Sequence, residues 1–348
     1  MPVSDDLRLA VWREVLQLCR VNSAETIAVL TGETSLPANI DMAMRASASL
    51  GAKVCRIDVP PGVAAGGFGQ RASVEVTPLT GHRLVVETLK KADMVLDLMG
   101  LLHSPEQLEI LAAGTRMLMV IEPFEMLSRM IPVADDKRRV RAAEKRYKAA
   151  KEMHVTSDAG TDLRMRIGQF PVLPQWGFSD EPGHWDHWPS AFVASWPNDG
   201  SAVGRVVIDA GDMMFPFKSY VQSKIDLDIR DGYITRIDGG FDAKYLRKHL
   251  ESFDDPAVFA VAHVGWGLHP KASWAALGSR DKVQSHGMDA RSFLGNFLFS
   301  TGPNAEAGGS NHSPCHIDIP MADCSVSLDG EPMTVRGKVV APDQRIAA

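Results

Sequence analysis

The spacing of apolar residues changes once along this chain, and that change limits its architecture more than any other feature. Up to residue 155, short β-rich runs, TIAVLTG (26–32), AKVCRIDVP (52–60), ADMVLDLMG (92–100) and RMLMVIEP (116–123), alternate with stretches of helical period such as LPANIDMAMRASASLG. Parallel strands need a crossover connection, so a strand–helix–strand succession predicts a parallel sheet. Further on, MHVTSDAGTDLRMRIG, GRVVIDAGD, KIDLDIRDGYITRIDGG and CSVSLDGEPMTVRGKVV alternate in period two around Asp-Gly or Gly turns. That is the pattern of antiparallel hairpins. The expected fold class is α/β: an N-terminal parallel α/β domain over residues 1–155, followed by a β-rich, largely antiparallel domain over 156–348. A chain of 348 residues is long enough for two such cores. Residues 135–152, DDKRRVRAAEKRYKAAKE, read as a charge-laced helix between the halves with a solvated face. PPGVAAGGFGQ (60–70) lacks the GxGxxG order of a pyrophosphate-binding turn and reads as a mobile loop.

Composition narrows the function classes. With 37 basic and 43 acidic residues and no basic stripe interleaved with aromatics, a nucleic-acid partner is not expected. The N-terminal MPVSDDLRLAVWREVLQLCR has the spacing of an amphipathic helix rather than a signal peptide, and no later stretch reaches the ~18 apolar residues of a membrane span. A cytoplasmic location without membrane contact is expected. Cys19, Cys55, Cys315 and Cys324 form no CxxC pair, which speaks against both disulfides and a zinc knuckle.

The chemistry-bearing residues fall into four places. In SPCHIDIP (313–320), a strand would put His316 and Asp318 on one face, since residues i and i+2 share it. An imidazole and a carboxylate side by side are two of the three ligands of a facial triad. Polar residues on the exposed face of an ordinary strand would look the same. AVFAVAHVGWG (257–267) carries a lone His263 near the end of an apolar run, ahead of a glycine-rich turn. A buried imidazole needs a partner, which a metal or a backbone carbonyl would equally supply. In DLMGLLHSPEQ (97–107), Ser104, Pro105 and Gln107 form a helix-start signature, which sets His103 between strand and helix, where open parallel sheets bind ligands. His103 is a candidate general base or a loop histidine. WGFSDEPGHWDHWPSAFVASWP (176–197) holds four tryptophans with His184, Asp186 and His187, and its Gly and Pro content reads as an irregular loop. Such a segment either walls a pocket for a flat ring or packs over the core. The candidate substrate-binding residues are His184, His187, Trp188 and Ser300, the last heading the glycine-rich STGPNAEAGGSNHSP.

The segments LLHSPEQ, DDKRRV, DEPGHWDHWPS, VGWGL, GNFLFSTGPN and PCHIDIP together resemble the 2,5-dihydroxypyridine 5,6-dioxygenases of nicotinate and nicotine degradation, nearly end to end. The resemblance implies a metalloaminopeptidase-like fold and Fe(II) held by His263, His316 and Asp318. It implies His103 as catalytic base and His187 close to the substrate. The reaction implied is extradiol-type cleavage of 2,5-dihydroxypyridine with O2 to N-formylmaleamate, by a chain expected to form a homo-oligomer. His184 departs from the family pattern, which has arginine there, and so leaves loop contacts and substrate range open. A two-metal aminopeptidase, which would need several acidic ligands, is the alternative enzyme reading. A non-enzymatic binder built on the aromatic segment is a third.

Overall fold

Ser4 starts the first helix: its Oγ accepts the Leu7 N–H at 3.3 Å, and α1 (Asp5–Leu18) follows, with Val11, Trp12, Val15 and Leu16 on its buried face. The structure is a computed structural model that describes residues 3–60, 77–102, 104–279, 282 and 285–346, with Ser279 described by its backbone alone. His103 and residues 61–70 of the glycine-rich segment lie outside the described residues.

After α1 come β1 (Thr26–Thr31), α2 (Pro37–Ser49), β2 (Lys53–Asp58), β3 (Met94–Asp97) and β4 (Arg116–Met119). They form a parallel sheet in the order β2-β1-β3-β4, as the alternation of strand and helix patterns requires. Its fifth strand comes from the tryptophan-rich segment: Trp185–His187 runs parallel to β4, with His187 opposite Met119. That segment, expected to be irregular, holds a second strand as well, Phe192–Ser195. Aromatic and β-branched residues suit a pleated surface well enough to override the flanking Gly and Pro.

Among the described residues three antiparallel sheets complete the fold, the smallest being Met213–Met214 paired with Ser219–Tyr220. The eight-stranded one grows from hairpins such as Glu152–Ser157 with Asp162–Arg166 and Ile225–Arg230 with Tyr233–Gly239. Its burial alternates, as in Ile225, Leu227 and Ile229, so one face meets the core. In the five-stranded sheet the order is Ile317–Met321, Phe297–Thr301, Val264–Gly267, Phe192–Ser195, Leu173–Gln175. Here His263 precedes its strand instead of ending it, and Gly265 and Gly267 lie inside the strand, not in a turn. A Cβ on Gly265 would land on the Val193 carbonyl oxygen, so the close approach of the neighbouring strand demands glycine.

One large apolar cluster runs from Trp12 on α1 through Trp176, Trp188 and Trp266 to Met333. Both halves of the chain contribute to it. The helix Ala134–Ala149 shows why its charge run is more than a solvated face. Arg139 and Asp136 are each 1% exposed and form an ion pair, and Arg139 also donates to the Leu268 carbonyl. Tyr147 stacks on Trp266 at 5.7 Å and donates to the Val264 carbonyl at 3.2 Å. The helix is thereby bolted to the five-stranded sheet. Removing one partner of a buried pair strands the other charge. Arg139→Ala is expected to lower the unfolding free energy by about 3–5 kcal/mol. Lys145→Ala, on the exposed side of the same helix, is expected to change it by less than about 0.5 kcal/mol; urea titration of both variants checks the contrast.

Candidate metal centre

Register places the three proposed ligands together. Ser300 stands opposite Asp318, and the Ala262 N–H donates to the Ser300 carbonyl at 2.9 Å, which brings the chain just before Val264–Gly267 alongside. His316 sits one residue ahead of its strand and Asp318 within it, on the same face, with His316 Nε2 3.1 Å from Asp318 Oδ1. His263 reaches the pair from the other side: its Nε2 lies 3.2 Å from His316 Nε2 and 3.4 Å from Asp318 Oδ1.

These spacings test whether an ion fits. Donors bound at ~2.1 Å to a shared ion lie roughly 3.0–3.4 Å apart at octahedral to tetrahedral angles. The three distances fall in that range, and two imidazole nitrogens and a carboxylate oxygen are ligands of the right type. Among the described residues this is the one group of three or more His, Cys, Asp or Glu side chains arranged to hold a metal ion. With a single carboxylate, it lacks the bridging acids that two ions would need.

The electrostatics prepare the donors. Burial depresses the His263 pKa to about 4, against the opposing pull of Asp318, so its ring is neutral at ordinary pH. Burial would raise the pKa of Asp318. The Arg291 guanidinium and the neighbouring histidines outweigh it and hold the carboxyl well below the usual range. Arg291 Nε donates to Asp318 Oδ2 at 2.6 Å, which leaves Oδ1 turned to the histidines. Its guanidinium also lies 4.5 Å over the Phe215 ring. The edge of Trp196 meets the His263 ring at 5.7 Å. Arg291 escaped the sequence reading because nothing local in GMDARSFLG tells a buried arginine from a solvated one.

The other candidates are placed as follows. Ser300 is fully buried, and its Oγ donates to the His263 carbonyl at 2.5 Å, so it ties its strand to the segment that carries His263. His187 is buried, with no protein partner for Nε2 among the described residues. Burial first, then the electrostatic influence of His286 and Arg291, pushes its pKa well below normal. His184 and Trp188 are turned elsewhere. His184 stacks on Trp176 at 4.1 Å and contacts Asp186 Oδ2 at 3.1 Å, while Trp188 packs edge-on against Trp12 at 5.1 Å. The physical reason is the period of two: residues 184, 186 and 188 share one face of the short strand and His187 takes the other. Asp186 accepts the N–H groups of Trp176, Gly177 and His187 at 2.7–2.9 Å and so fixes the backbone beneath His187. Near His103, Ser104 caps the helix Pro105–Ala112 by accepting the Gln107 N–H at 3.0 Å.

Comparison with known proteins adds a family to this geometry. The sequence profile of the family described as NicX, 2,5-dihydroxypyridine 5,6-dioxygenase, matches residues 8–341. The chain belongs to that family. A curated 2,5-dihydroxypyridine 5,6-dioxygenase from Pseudomonas putida is 47% identical over 346 residues, which is 99% of each chain. A solved structure of 2,5-dihydroxypyridine dioxygenase from Pseudomonas putida superposes with a TM-score of 0.95 at 46% identity, over 99% of this chain and 100% of the other. Wild-type AmpT from Thermus thermophilus shares the fold alone, with a TM-score of 0.61 and 14% identity over 97% of this chain and all of the other. The chain thus shares its fold with a 2,5-dihydroxypyridine dioxygenase and, at much lower identity, with AmpT, and it is of the expected α/β class. No helix of the described residues is long and apolar enough to cross a membrane. For the ligand cluster the expected result is loss of metal without loss of fold: His316→Ala should bring bound divalent metal from about one ion per chain to near zero, as elemental analysis would show, with an unchanged circular-dichroism spectrum.

Proposed function

We propose that the chain is an extradiol-type dioxygenase that opens 2,5-dihydroxypyridine with O2 to give N-formylmaleamate, using one Fe(II) held by His263, His316 and Asp318. The convergence of these three donors within 4.8 Å, in a member of this family, carries the reading. Iron(II) bound there would supply an electron path between an electron-rich ring and O2, at the coordination positions that three facial ligands leave open.

The chain's own residues supply binding and proton control. Neutral and buried, with Nε2 unpaired among the described residues, His187 is suited to hydrogen-bond a polar atom of the ring. Asp186 holds it in place through the backbone. Arg291 keeps Asp318 ionised and aimed. His103 is assigned the proton of a ring hydroxyl, which a histidine with an ordinary pKa can take near neutral pH. Cleaving the 5,6 bond puts both atoms of O2 into the product, so neither a reductant nor a nicotinamide is consumed. The same reading includes a homo-oligomer in the cytoplasm.

The test is anaerobic protein loaded with Fe(II), mixed with 2,5-dihydroxypyridine and oxygenated buffer, with O2 consumption and product mass recorded. One O2 per ring is expected. Peptide hydrolysis with zinc or cobalt, and no O2 uptake, would favour the two-metal aminopeptidase instead. His103→Ala is expected to retain iron while turnover falls by about 10²–10⁴-fold; loss of iron from that variant would show that its role is misassigned.

A further inference from the structure

Glu122 lies three residues beyond β4, at the carboxyl edge of the parallel sheet, and is fully buried. Its two oxygens are spoken for: Oε2 accepts the His286 N–H at 2.9 Å and Oε1 the Met288 N–H at 3.0 Å. Between these donors Gly287 adopts a left-handed conformation, φ +86°, where a Cβ would strike the Phe215 ring. One carboxylate therefore clamps the turn that launches the helix Met288–Ser292. Arg291 on that helix donates Nη1 back to the His286 carbonyl at 2.5 Å and Nε to Asp318 Oδ2 at 2.6 Å. Asn39 of α2 anchors the other end by donating to the Glu122 carbonyl at 3.0 Å.

The geometry points to Glu122 as a positioning residue that fixes Arg291 against the metal-binding carboxylate through the 286–288 turn, tying the parallel sheet to the ligand cluster. This rests on the reading of His263, His316 and Asp318 as metal ligands. Partners that orient a ligating carboxylate alter metal affinity about 10–100-fold when removed. Glu122 touches neither the ligands nor, in this assignment, the substrate. It acts only by where it holds Arg291.

The relay also has a built-in pH response. Burial lifts the Glu122 pKa to about 7; its two N–H donors oppose the rise, Asp289 adds to it and Arg291 opposes it. Among the described residues that face it, Asp289 is paired with Arg129, Arg291 with Asp318, His286 is held neutral with a pKa near 4, and α2 presents the uncharged Asn39. Above the folded pKa, the carboxylate accepts both N–H groups. As pH falls through it, the added proton weakens one of the two bonds, and the turn loosens.

The experiment compares the full-length native protein with Glu122→Gln, whose amide accepts one N–H and presents a donor to the other. In metal-free protein, the Arg291 Nε–H nuclear magnetic resonance signal is expected to titrate near pH 7 in the native chain and to stay flat in Glu122→Gln. Fe(II) affinity, measured by chelator competition, is expected to drop at least tenfold in the variant. An Arg291 signal that behaves identically in both proteins, with equal Fe(II) affinity, would overturn the proposal. If Glu122→Gln does not fold, the native titration decides alone, and a flat Arg291 signal overturns it. A native chain that binds no Fe(II) but whose Arg291 still titrates would sink the metal reading and leave the relay intact.

Discussion

The pairing of Phe297–Thr301 between its two neighbours is the constraint on which the centre depends. His263 and the His316/Asp318 pair belong to segments on opposite sides of this strand. Adjacent strands are spaced by about 4.8 Å, so ligands on its two sides meet only by leaning across it. Ser300 occupies the crossing point opposite Asp318, and its small side chain bonds the His263 carbonyl. A bulky residue there would fill the space in which the donors converge. A one-residue slip in register would turn Asp318 to the far face.

That dependence explains what could be read from the sequence. The His316/Asp318 pair was legible because period two is a local property of a strand, and His263 because a lone imidazole in an apolar run needs a partner. The parallel sheet and the hairpins were legible for the same reason. What could not be read were partnerships made across the fold. Arg291 meets Asp318 27 residues away in sequence, and Glu122 meets Met288 at a separation of 166. Neither distance leaves a mark on local composition. The tryptophan-rich segment failed differently: its Gly and Pro suggested a loop, and the strand at Trp185–His187 formed because β4 offered an open edge to pair with.

Buried charge, not apolar packing alone, sets how the layers meet. Arg139 with Asp136 joins a helix to the five-stranded sheet, Asp186 gathers three backbone N–H groups under His187, and Glu122 clamps the turn before Arg291. Each is costly to desolvate and strongly destabilising to leave half-made. Such groups specify a geometry, whereas hydrophobic burial is non-directional. The apolar cluster that spans both halves supplies the bulk of the cohesion on which they act.

The short strand Trp185–His187 belongs to the parallel sheet, whereas His263, His316 and Asp318 lie on or beside strands of the antiparallel sheet that contains Phe297–Thr301. Under the proposed function, recognition of the ring and capture of the ion would be housed in separate layers. In that reading, substitutions around His187 would alter which heterocycle is accepted while leaving His263, His316 and Asp318 in place, and the reverse would also hold. A scaffold divided in this way lends itself to diversification, since new specificities can be tried while the reactive centre is inherited unchanged.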